Sequence, residues 1–241
     1  MHVMPDTRRH RGPHPHDREL FAPEHWPALR AAAHDYSWLL SRDYAVPSAL
    51  KVVGDRYRLT ERQRTAVMRC SCSDKSLVRR ESTKLSTAAL RGAAVEIDGF
   101  NLLTTVEASL AEGILLRGRD GCVRDMASLH GSWRKVAETR PAATRIGEFL
   151  HAAGVAHARW LLDSPVSNSG RLATLLRALA ASFQWNWSVE TVPSPDAVLK
   201  ESGALVVTAD SVILDACERW CDVASELLQQ QNVQPIDLRS E

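Results

Sequence analysis

The sequence lacks any apolar stretch long enough to cross a membrane. No run reaches about 18 apolar residues, which is close to the minimum for a transmembrane helix. The N-terminal stretch is rich in His, Pro and Arg and has no apolar centre of the kind found in signal peptides. We therefore predict a cytoplasmic protein with no membrane partner, and the sequence is compatible with a homo-oligomer.

Cysteine is scarce, and its spacing does not match common zinc sites. The chain has five cysteines, an odd number, and none of them stands in a CxxC pair. This pattern suits a reducing compartment better than a disulfide framework. The spacing favours ordinary buried thiols. The alternative is zinc ligation by two close pairs of cysteines. The five are Cys70, Cys72, Cys122, Cys217 and Cys221.

Several catalytic signatures are also missing. The sequence has no GxxxxGK[ST] motif, which excludes a P-loop nucleotide site. It has no GxSxG motif and no legible Cys–His pairing, which argues against hydrolases that use a serine or cysteine nucleophile. No GxGxxG follows the first predicted strand, which argues against a dinucleotide cofactor.

Charge is unevenly distributed, although the net charge is only +1. Residues 51–91 hold eleven Lys and Arg against four Asp and Glu, a balance of +7, whereas residues 190–241 hold three against ten, a balance of −7. A basic segment beside an acidic one is typical of a nucleic-acid enzyme that uses carboxylates. The alternative is two solvated faces that differ in charge. Only five of the 30 basic residues are lysines, and arginine suits phosphate better than lysine does.

Apolar periodicity changes near Gly92 and divides the chain into two main regions. Residues 23–91 have helical spacing and are predicted to form a basic helical region with a polar linker, in which Thr60 caps a helix. Residues 92–230 alternate short apolar strands with helices. We predict a disordered tail over 1–22 and a C-terminal tail over 231–241.

Four strands are predicted in the second region, each followed by a helix. This alternation indicates an α/β fold in which a Rossmann-like parallel sheet is flanked by helices, with the carboxyl ends of the strands along one edge. The predicted strands are 93–98, 155–163, 187–192 and 204–210. Helices are predicted over 102–113, 121–139, 142–154, 170–183, 193–203 and 211–231.

Aspartates recur at the carboxyl ends of these strands. Asp98, Asp163 and Asp210 each end a strand, and Asp196 lies in the first turn of the helix after the third strand. Because neighbouring strands are about 4.8 Å apart, such acids can share one or two cations, and hard oxygen ligands favour Mg²⁺ or Mn²⁺. The alternative is that each aspartate only caps the helix that follows it.

The segments "VEIDGFNLL", "WLLDSPVSNSG", "TVPSPDAVL" and "LVVTADSVILD" resemble the acidic motifs of PIN-like and NYN-type nuclease domains, over about residues 93–228. The resemblance implies a PIN-like sheet in which Asp98, Asp163, Asp196 and Asp210 are catalytic residues and metal ligands, and in which Asn101 steadies the first acid. The wider chain resembles an uncharacterised prokaryotic family described as a domain of unknown function, which supplies no activity.

The insertion between the first two strands, about 55 residues long, exceeds the length expected from that pattern. Its acids Glu107, Asp120 and Asp125 are therefore additional candidates for the site, without a ranking among them.

Two segments carry groups suited to phosphate. In "DSPVSNSGR", a predicted helix start offers hydroxyl, amide and guanidinium groups, although turn chemistry selects the same residue types. In "LRGRDGCVRD", arginines alternate with glycines, and a structural ion pair between Arg119 and Asp125 is the alternative there. The candidate phosphate-binding residues are Ser164, Ser167, Asn168, Ser169, Arg171, Arg117 and Arg119.

The leading hypothesis is a nuclease that depends on Mg²⁺ or Mn²⁺, an endoribonuclease in which RNA is favoured over DNA as the substrate. In this hypothesis the arginines of 51–91 grip the nucleic-acid backbone without reading its sequence. Trp185 and Trp187 can stack on bases or pack as core residues. A non-catalytic RNA-binding adaptor on the same fold and a nucleotide phosphohydrolase are the two alternatives.

Overall fold

The N-terminal third of the chain is helical in the computed structural model, which describes residues 10–11, 14–127 and 133–239. Short 3-10 turns occur at Pro23–His25 and Thr87–Leu90. The predicted cap at Thr60 is confirmed, because its hydroxyl accepts the backbone N–H of Gln63 and the Gln63 side chain accepts that of Thr60. The helices are α1 (Asp17–Leu20), α2 (Trp26–Leu40), α3 (Val46–Arg56), α4 (Glu61–Cys70) and α5 (Asp74–Thr83).

The later part of the predicted N-terminal tail packs against the rest of the protein. Asp17 is fully buried and accepts Arg62 Nη2 at 2.7 Å, and Phe21 belongs to the core of the helical region. Arg11 is buried and donates to Glu107 at 2.8 Å. The prediction of a disordered tail over 1–22 is therefore wrong for these residues, whereas 1–9 and 12–13 lie outside the described residues.

A five-stranded sheet with all strands parallel forms the centre of the second region, in the order β5-β4-β1-β6-β7. In register, Asp98 lies opposite Leu161 and Asp163 opposite Val192. The predicted α/β class is confirmed, because helices flank a parallel sheet. The strands are β1 (Ala94–Asp98), β4 (His157–Asp163), β5 (Trp187–Val192), β6 (Leu205–Val207) and β7 (Trp220–Cys221).

Helices connect these strands and cover a continuous apolar core. Val95 and Ile97 of β1 are buried together with Trp160 and Leu162 of β4 in the main hydrophobic cluster. Leu161 of β4 and Val206 of β6 are buried in a second cluster on the other face, so both faces of the sheet are covered, as is usual for parallel sheets. The helices are α6 (Gly99–Leu110), α7 (Thr139–Ala152), α8 (Ser169–Phe183), α9 (Pro195–Lys200), α10 (Ser211–Leu214) and α11 (Val223–Gln230).

The insertion after β1 contains strands where a helix was predicted. β2 (Leu115–Arg117) and β3 (Val123–Asp125) pair antiparallel, and the turn between them includes Gly121 at a φ of 78°. Glycine reaches this left-handed region at little cost, which permits a tight reversal. The helix predicted over 121–139 is therefore wrong at its start, and its residues 128–132 lie outside the described residues.

The helix predicted over 211–231 is interrupted by a strand. α10 ends at Leu214, β7 adds the fifth strand to the sheet, and α11 begins at Val223, after Asp222 caps it by accepting the N–H of Ser225 at 2.9 Å. Trp220 is completely buried. Burial of this tryptophan at the sheet edge offsets the loss of continuous helical hydrogen bonds.

A small second sheet links the C-terminal segment to the helical region. β8 (Ile236–Asp237) pairs parallel with β2, within the segment predicted as a tail over 231–241. Leu116 and Leu238 are buried in the same cluster as Leu29 and Val67 of the N-terminal helices. The insertion and the C-terminal segment therefore help to form the core of the helical region.

No helix in the part of the chain that the structure describes is both long and apolar enough to span a bilayer.

Candidate active site

The topology of the parallel sheet places the predicted acids at one edge. The chain passes from β1 outward to β4 and β5, and then returns to place β6 and β7 on the other side of β1. The direction of winding therefore reverses between β1 and β6, and open α/β sheets bind ligands outside the carboxyl ends of strands at such a point. Asp98 ends β1, and Asp210 follows β6.

Asp98 is buried at this reversal point, where the residue is 7% exposed. Its carboxylate accepts the backbone N–H of Asn101 at 3.3 Å, as the cap of α6, and the hydroxyl of Thr208 at 3.0 Å. Burial, followed by the negative charge of Asp210, raises its pKa to about 7, against the opposing effect of these two hydrogen bonds. The charge of Asp196 adds a smaller rise.

Thr208 connects the ends of β1 and β6. Its hydroxyl donates to Asp98 and accepts the backbone N–H of Asp210 at 3.0 Å. Asp210 in turn caps α10 by accepting the N–H groups of Val212 and Ile213. Thr208 therefore holds both acids in position, although the sequence did not predict a role for it. Its place two residues before Asp210 in "TAD" is the signal that was available.

The side chain of Asn101 makes a different contact from the one expected. Its amide oxygen accepts the backbone N–H of Ala209 at 2.9 Å, whereas only its backbone N–H contacts Asp98. The prediction that the Asn101 side chain orients Asp98 is therefore wrong. The amide instead fixes the segment that leads from β6 to Asp210.

Asp163 and Asp196 are half-buried acids that do not cap helices. Ser194 caps α9, and the N-terminus of α8 falls at Asn168. Burial, followed by the charge of Asp196, raises the pKa of Asp163. Burial, followed by the charge of Asp210, raises the pKa of Asp196, although Lys200 opposes this. Capping alone therefore explains Asp98 and Asp210 but not the other two.

The four predicted aspartates thus lie in one electrostatic neighbourhood. After burial, the charge of Asp210 is the next cause of the raised pKa values of Asp98 and Asp196, and the charge of Asp196 is the next cause for Asp163. Among the residues that the structure describes, none of these four carboxylates forms an ion pair with a basic side chain. Converging carboxylates without a counter-charge raise one another's pKa values, and a cation between them would relieve the repulsion.

Within the described ranges, no group of three or more His, Cys, Asp or Glu side chains is arranged closely enough to hold a metal ion. This geometry excludes a preformed cage of the kind that structural zinc requires. Mg²⁺ is usually held by only one or two carboxylates and keeps several water ligands. The carboxylates at the edge of the sheet are oxygen donors of the chemical type that hard cations bind, but the described side chains do not form a preformed three-ligand site.

A cavity of about 380 Å³ opens beside Asp210. Its lining includes Asn101 and Asp210 from the strand ends, but not Asp98, Asp163 or Asp196. It also includes Asp125 of β3 and Arg69 of α4. The helical region therefore contributes a cationic side chain to this cavity, which no local sequence pattern indicated. The full lining is Arg69, Phe100, Asn101, Thr104, Thr105, Arg124, Asp125, Ala127, Ala209, Asp210 and Ser211.

The structure separates the three acids proposed in the insertion. Asp125 borders the cavity, where its carboxylate accepts the hydroxyl of Thr105 at 2.8 Å. Glu107 instead pairs with Arg11. Asp120 is buried between two guanidinium groups, those of Arg80 and Arg124, and contacts each at 2.6 Å.

Several predicted phosphate-binding groups are engaged in internal contacts. Asn168 donates its side-chain N–H to the carbonyl of Trp133 at 2.9 Å, and Ser169 donates to the carbonyls of Asp163 and Val166. These contacts support turn chemistry for the two residues. Ser164, Ser167 and Arg171 are exposed.

The arginines of "LRGRDG" are also used internally. Arg117 donates to the carbonyl of Gly121 at 2.9 Å. Arg119 donates to the carbonyl of Cys72 and pairs with Asp74 at 2.6 Å. Arg119 therefore forms the structural ion pair that was the alternative, but with Asp74 rather than with Asp125.

The basic segment 51–91 does not present all its cations to solvent. Arg80 is 3% exposed and pairs with Asp120 and Asp215. Arg62 pairs with Asp17, and Arg79 donates to the carbonyl of Ala216. Part of the positive charge of this segment is therefore used in contacts that hold the helices in place. Fewer cations remain at the surface to bind a nucleic-acid backbone.

The cysteines and the paired tryptophans are mainly structural. All five cysteines are free and buried, and burial raises the pKa of Cys70 to about 12 and that of Cys72 to about 11. Trp185 stacks on Trp187 with ring centroids 4.8 Å apart, and both pack against the main core. Core packing, the alternative to base stacking, describes these two rings.

Comparisons with known proteins identify relatives whose functions are not described. Residues 87–226 match the family model described as "Domain of unknown function (DUF5616)", and residues 28–82 match "Protein of unknown function (DUF434)". The curated protein "Uncharacterized protein MJ0935" of Methanocaldococcus jannaschii is 30% identical over 189 residues, which cover 78% of this chain and 89% of that protein. No solved structure gives a significant match.

Proposed function

We propose that this chain, which belongs to the DUF5616 family, is a metal-dependent endoribonuclease. The observation that supports this function is a set of four partly or fully buried aspartates at the carboxyl edge of a parallel sheet, where burial, and then the charge of Asp196 or Asp210, raises the pKa values of Asp98, Asp163 and Asp196. Such an arrangement costs stability unless a bound cation compensates for it.

Asp98, Asp163, Asp196 and Asp210 are the proposed acids of a Mg²⁺ or Mn²⁺ site, in which one or two of them would ligate the ion directly and the others through water, since no three of the described acidic side chains are close enough to share it. When bound, such a metal activates water and stabilises charge at a phosphodiester. The four carboxylates supply hard oxygen donors. Thr208 sets the orientation of Asp98, and the Asn101 amide holds the backbone at Ala209. Asp98 and Asp210 also have their positions fixed by the helix N-termini that they cap.

The PIN-like identity of the fold is part of this proposal. An all-parallel sheet supports it, because the acids follow its first, second and fourth strands in chain order, and a further acid opens the helix after the third. Ser211 borders the cavity beside Asp210 and is suited to contact the phosphate or the ribose of a bound strand, whereas Arg69 already donates to the carbonyls of Asp125 and Ala127.

Cleavage of a fluorescently labelled single-stranded RNA in the presence of Mn²⁺ tests the proposal. We expect the wild type to cleave it and Asp98→Asn to reduce the rate by about 100-fold or more, because a charged ligand is replaced by a neutral amide. Asp43→Asn is the matched control. Asp43 is exposed in a left-handed turn at a φ of 59°, where asparagine is well tolerated.

Equal cleavage by wild type and Asp98→Asn would refute the assigned site. The absence of a three-ligand cluster among the described side chains favours one alternative, an RNA-binding adaptor that has lost catalysis. That alternative predicts RNA binding with a steep salt dependence and no cleavage by either protein.

A further inference from the structure

A second cavity, of about 270 Å³, lies at the start of α8 and carries positive side chains. Arg134, Lys135 and Arg171 line it, and all three are exposed. The rest of its described lining is Trp133, Asn168 and Leu175, so no acidic residue of the described chain lines it. Three cations without a neighbouring carboxylate create a local positive potential, which attracts anions.

The start of α8 adds to the positive potential of this cavity. Asn168 is the N-cap at a φ of 71° but makes no side-chain cap, because its amide donates to the carbonyl of Trp133. The hydroxyl of Ser169 also points to carbonyls rather than to the helix start. The N–H groups of Ser169 and Arg171 already donate to the carbonyls of Val166 and Asn168, so the 15-residue helix α8 contributes the positive end of its dipole rather than a set of free donors.

A buried donor without an acceptor provides an independent observation. Trp133, which lines the cavity, is 1% exposed. Its indole N–H has no hydrogen-bond partner among the described residues. Buried polar groups are nearly always paired in folded proteins, and this residue of the cavity wall keeps a donor that no described residue uses.

The basic cavity is adjacent to the proposed active site. The ring of Phe100, which lines the cavity beside Asp210, lies 6.4 Å from the ring of Trp133. The backbone N–H of Trp133 donates to Ser167 at 3.1 Å, in the segment that begins at Asp163. One aromatic pair and one short segment therefore separate the two cavities.

We propose that the cavity of Arg134, Lys135 and Arg171 binds a backbone phosphate of single-stranded RNA, one that flanks the phosphodiester at the aspartates. This inference rests on the proposed function for the identity of the neighbouring site. The aspartates repel the backbone of a substrate, and adjacent cations offset that repulsion. The exposure of all three cations suits a strand that crosses the surface, since grooves for single strands combine such cations with aromatic rings.

Binding of a fluorescein-labelled oligouridylate, measured by fluorescence anisotropy in EDTA over a range of salt concentrations, tests the inference without cleavage. For Arg171→Gln we expect the slope of log affinity against log salt to become shallower by about 0.7, and for the triple variant R134Q/K135Q/R171Q by about 2. Arg18→Gln, an exposed arginine on α1, is the matched control and should keep the wild-type slope.

Other results of this experiment would overturn the inference. One is a triple variant that binds with the wild-type affinity and slope, although its thermal melt shows it to be folded. Another is an equal loss in Arg18→Gln, which would indicate general surface charge. Displacement of the oligouridylate by inorganic phosphate at equal phosphate concentration would indicate a site for a free anion.

Failure of the inference and failure of the proposed function give different results. Unchanged binding by the triple variant, together with cleavage that depends on Asp98, would remove the phosphate site and leave the nuclease. A loss of binding in the triple variant without cleavage by the wild type would support the phosphate site on a protein that is not a nuclease.

Discussion

At the scale of single residues, Asp98 determines most of the chemistry proposed for this protein. It is buried at the end of β1, near the negative charge of Asp210, and its pKa is raised to about 7. A carboxylate in such a position is not selected for stability, because burial and like charge both disfavour its ionised form. The loss of stability that the buried carboxylate causes is explained if the protein needs its ionised form to bind a cation.

This cost predicts that Asp98→Asn stabilises the protein at alkaline pH. The raised pKa means that the folded state binds a proton more tightly than the unfolded state does. The penalty is therefore absent below about pH 4, grows as pH rises and is complete above about pH 7. We expect the variant to exceed the wild type in unfolding free energy by on the order of 2 kcal/mol at pH 8 and to match it near pH 4.

Urea unfolding at the two pH values measures this difference. Mg²⁺ added at pH 8 should stabilise the wild type and leave Asp98→Asn nearly unchanged, because a ligand stabilises the state that binds it. Asp43→Asn serves as the control and should follow the wild type throughout. A variant that is less stable than the wild type at pH 8 would contradict the idea that Asp98 is destabilising.

At the scale of elements, the site depends on the connection between β1 and β6. These strands are neighbours in the sheet although more than 100 residues separate them along the chain. The hydroxyl of Thr208 joins Asp98 to the backbone of Asp210, and the amide of Asn101 joins α6 to Ala209. Two side chains therefore fix the relative positions of two strand ends.

Thr208→Val tests this connection with a side chain of the same shape. The variant leaves the backbone N–H of Asp210 without its acceptor, so we expect a loss of about 1–2 kcal/mol in unfolding free energy. The Thr208 hydrogen bond lowers the pKa of Asp98, so its removal should also shift the acidic limb of the pH–rate profile for RNA cleavage to higher pH.

The matched control is Thr174→Val, since the Thr174 hydroxyl bonds only to the Gly170 carbonyl on the exposed side of α8. It should change neither the pH profile nor, appreciably, the stability. A Thr208→Val protein with lower stability but an unchanged profile would make Thr208 a structural residue with no part in positioning Asp98.

At the scale of the whole molecule, buried ion pairs join the helical region to the proposed active site. Arg80 of α5 contacts Asp120, Asp120 contacts Arg124, and Arg124 donates to the carbonyl of Ala209 at 2.8 Å. Burial alone would raise the pKa of Asp120, but Arg124 and then Arg80 outweigh this effect and hold the pKa well below its usual range. The helical region thereby supports the backbone next to Asp210.

Asp120→Asn should destabilise the protein strongly at neutral pH. Removing the shared carboxylate leaves the buried guanidinium of Arg124 without a counter-charge, while Arg80 keeps only Asp215, and this costs on the order of 3 kcal/mol. Because the folded pKa is depressed, the contribution of Asp120 is present above its unfolded value near pH 4 and is lost as pH falls through the folded value. The difference in unfolding free energy between Asp120→Asn and the wild type should therefore become smaller in strong acid.

Urea unfolding at pH 7 and at the lowest pH that preserves the fold measures this effect. Asp74→Asn is the control, because Asp74 pairs with Arg119 at the surface and exposed pairs contribute little. Similar losses in the two variants would show that the buried position of Asp120 has no special importance.

The sequence by itself determined the α/β class, the parallel sheet and the edge at which the acids lie. Apolar runs that each end before a helix predict parallel strands, and parallel strands place their carboxyl ends together. Asp98, Asp163, Asp196 and Asp210 could be proposed because this inference needs only local pattern and strand polarity. The likeness to an uncharacterised family is also confirmed, whereas the nuclease function stays a prediction.

Only the tertiary structure decided the short strands and the partners of the charged residues. A strand of two or three residues, such as β7, is too short to show the two-residue alternation of a β-strand. Its apolar residues therefore could not be distinguished from those on the apolar face of a helix. Arg80 finds Asp120 across 40 residues and Thr208 finds Asp98 across 110. Such contacts depend on which elements become neighbours in the fold, and no local sequence pattern contains that information.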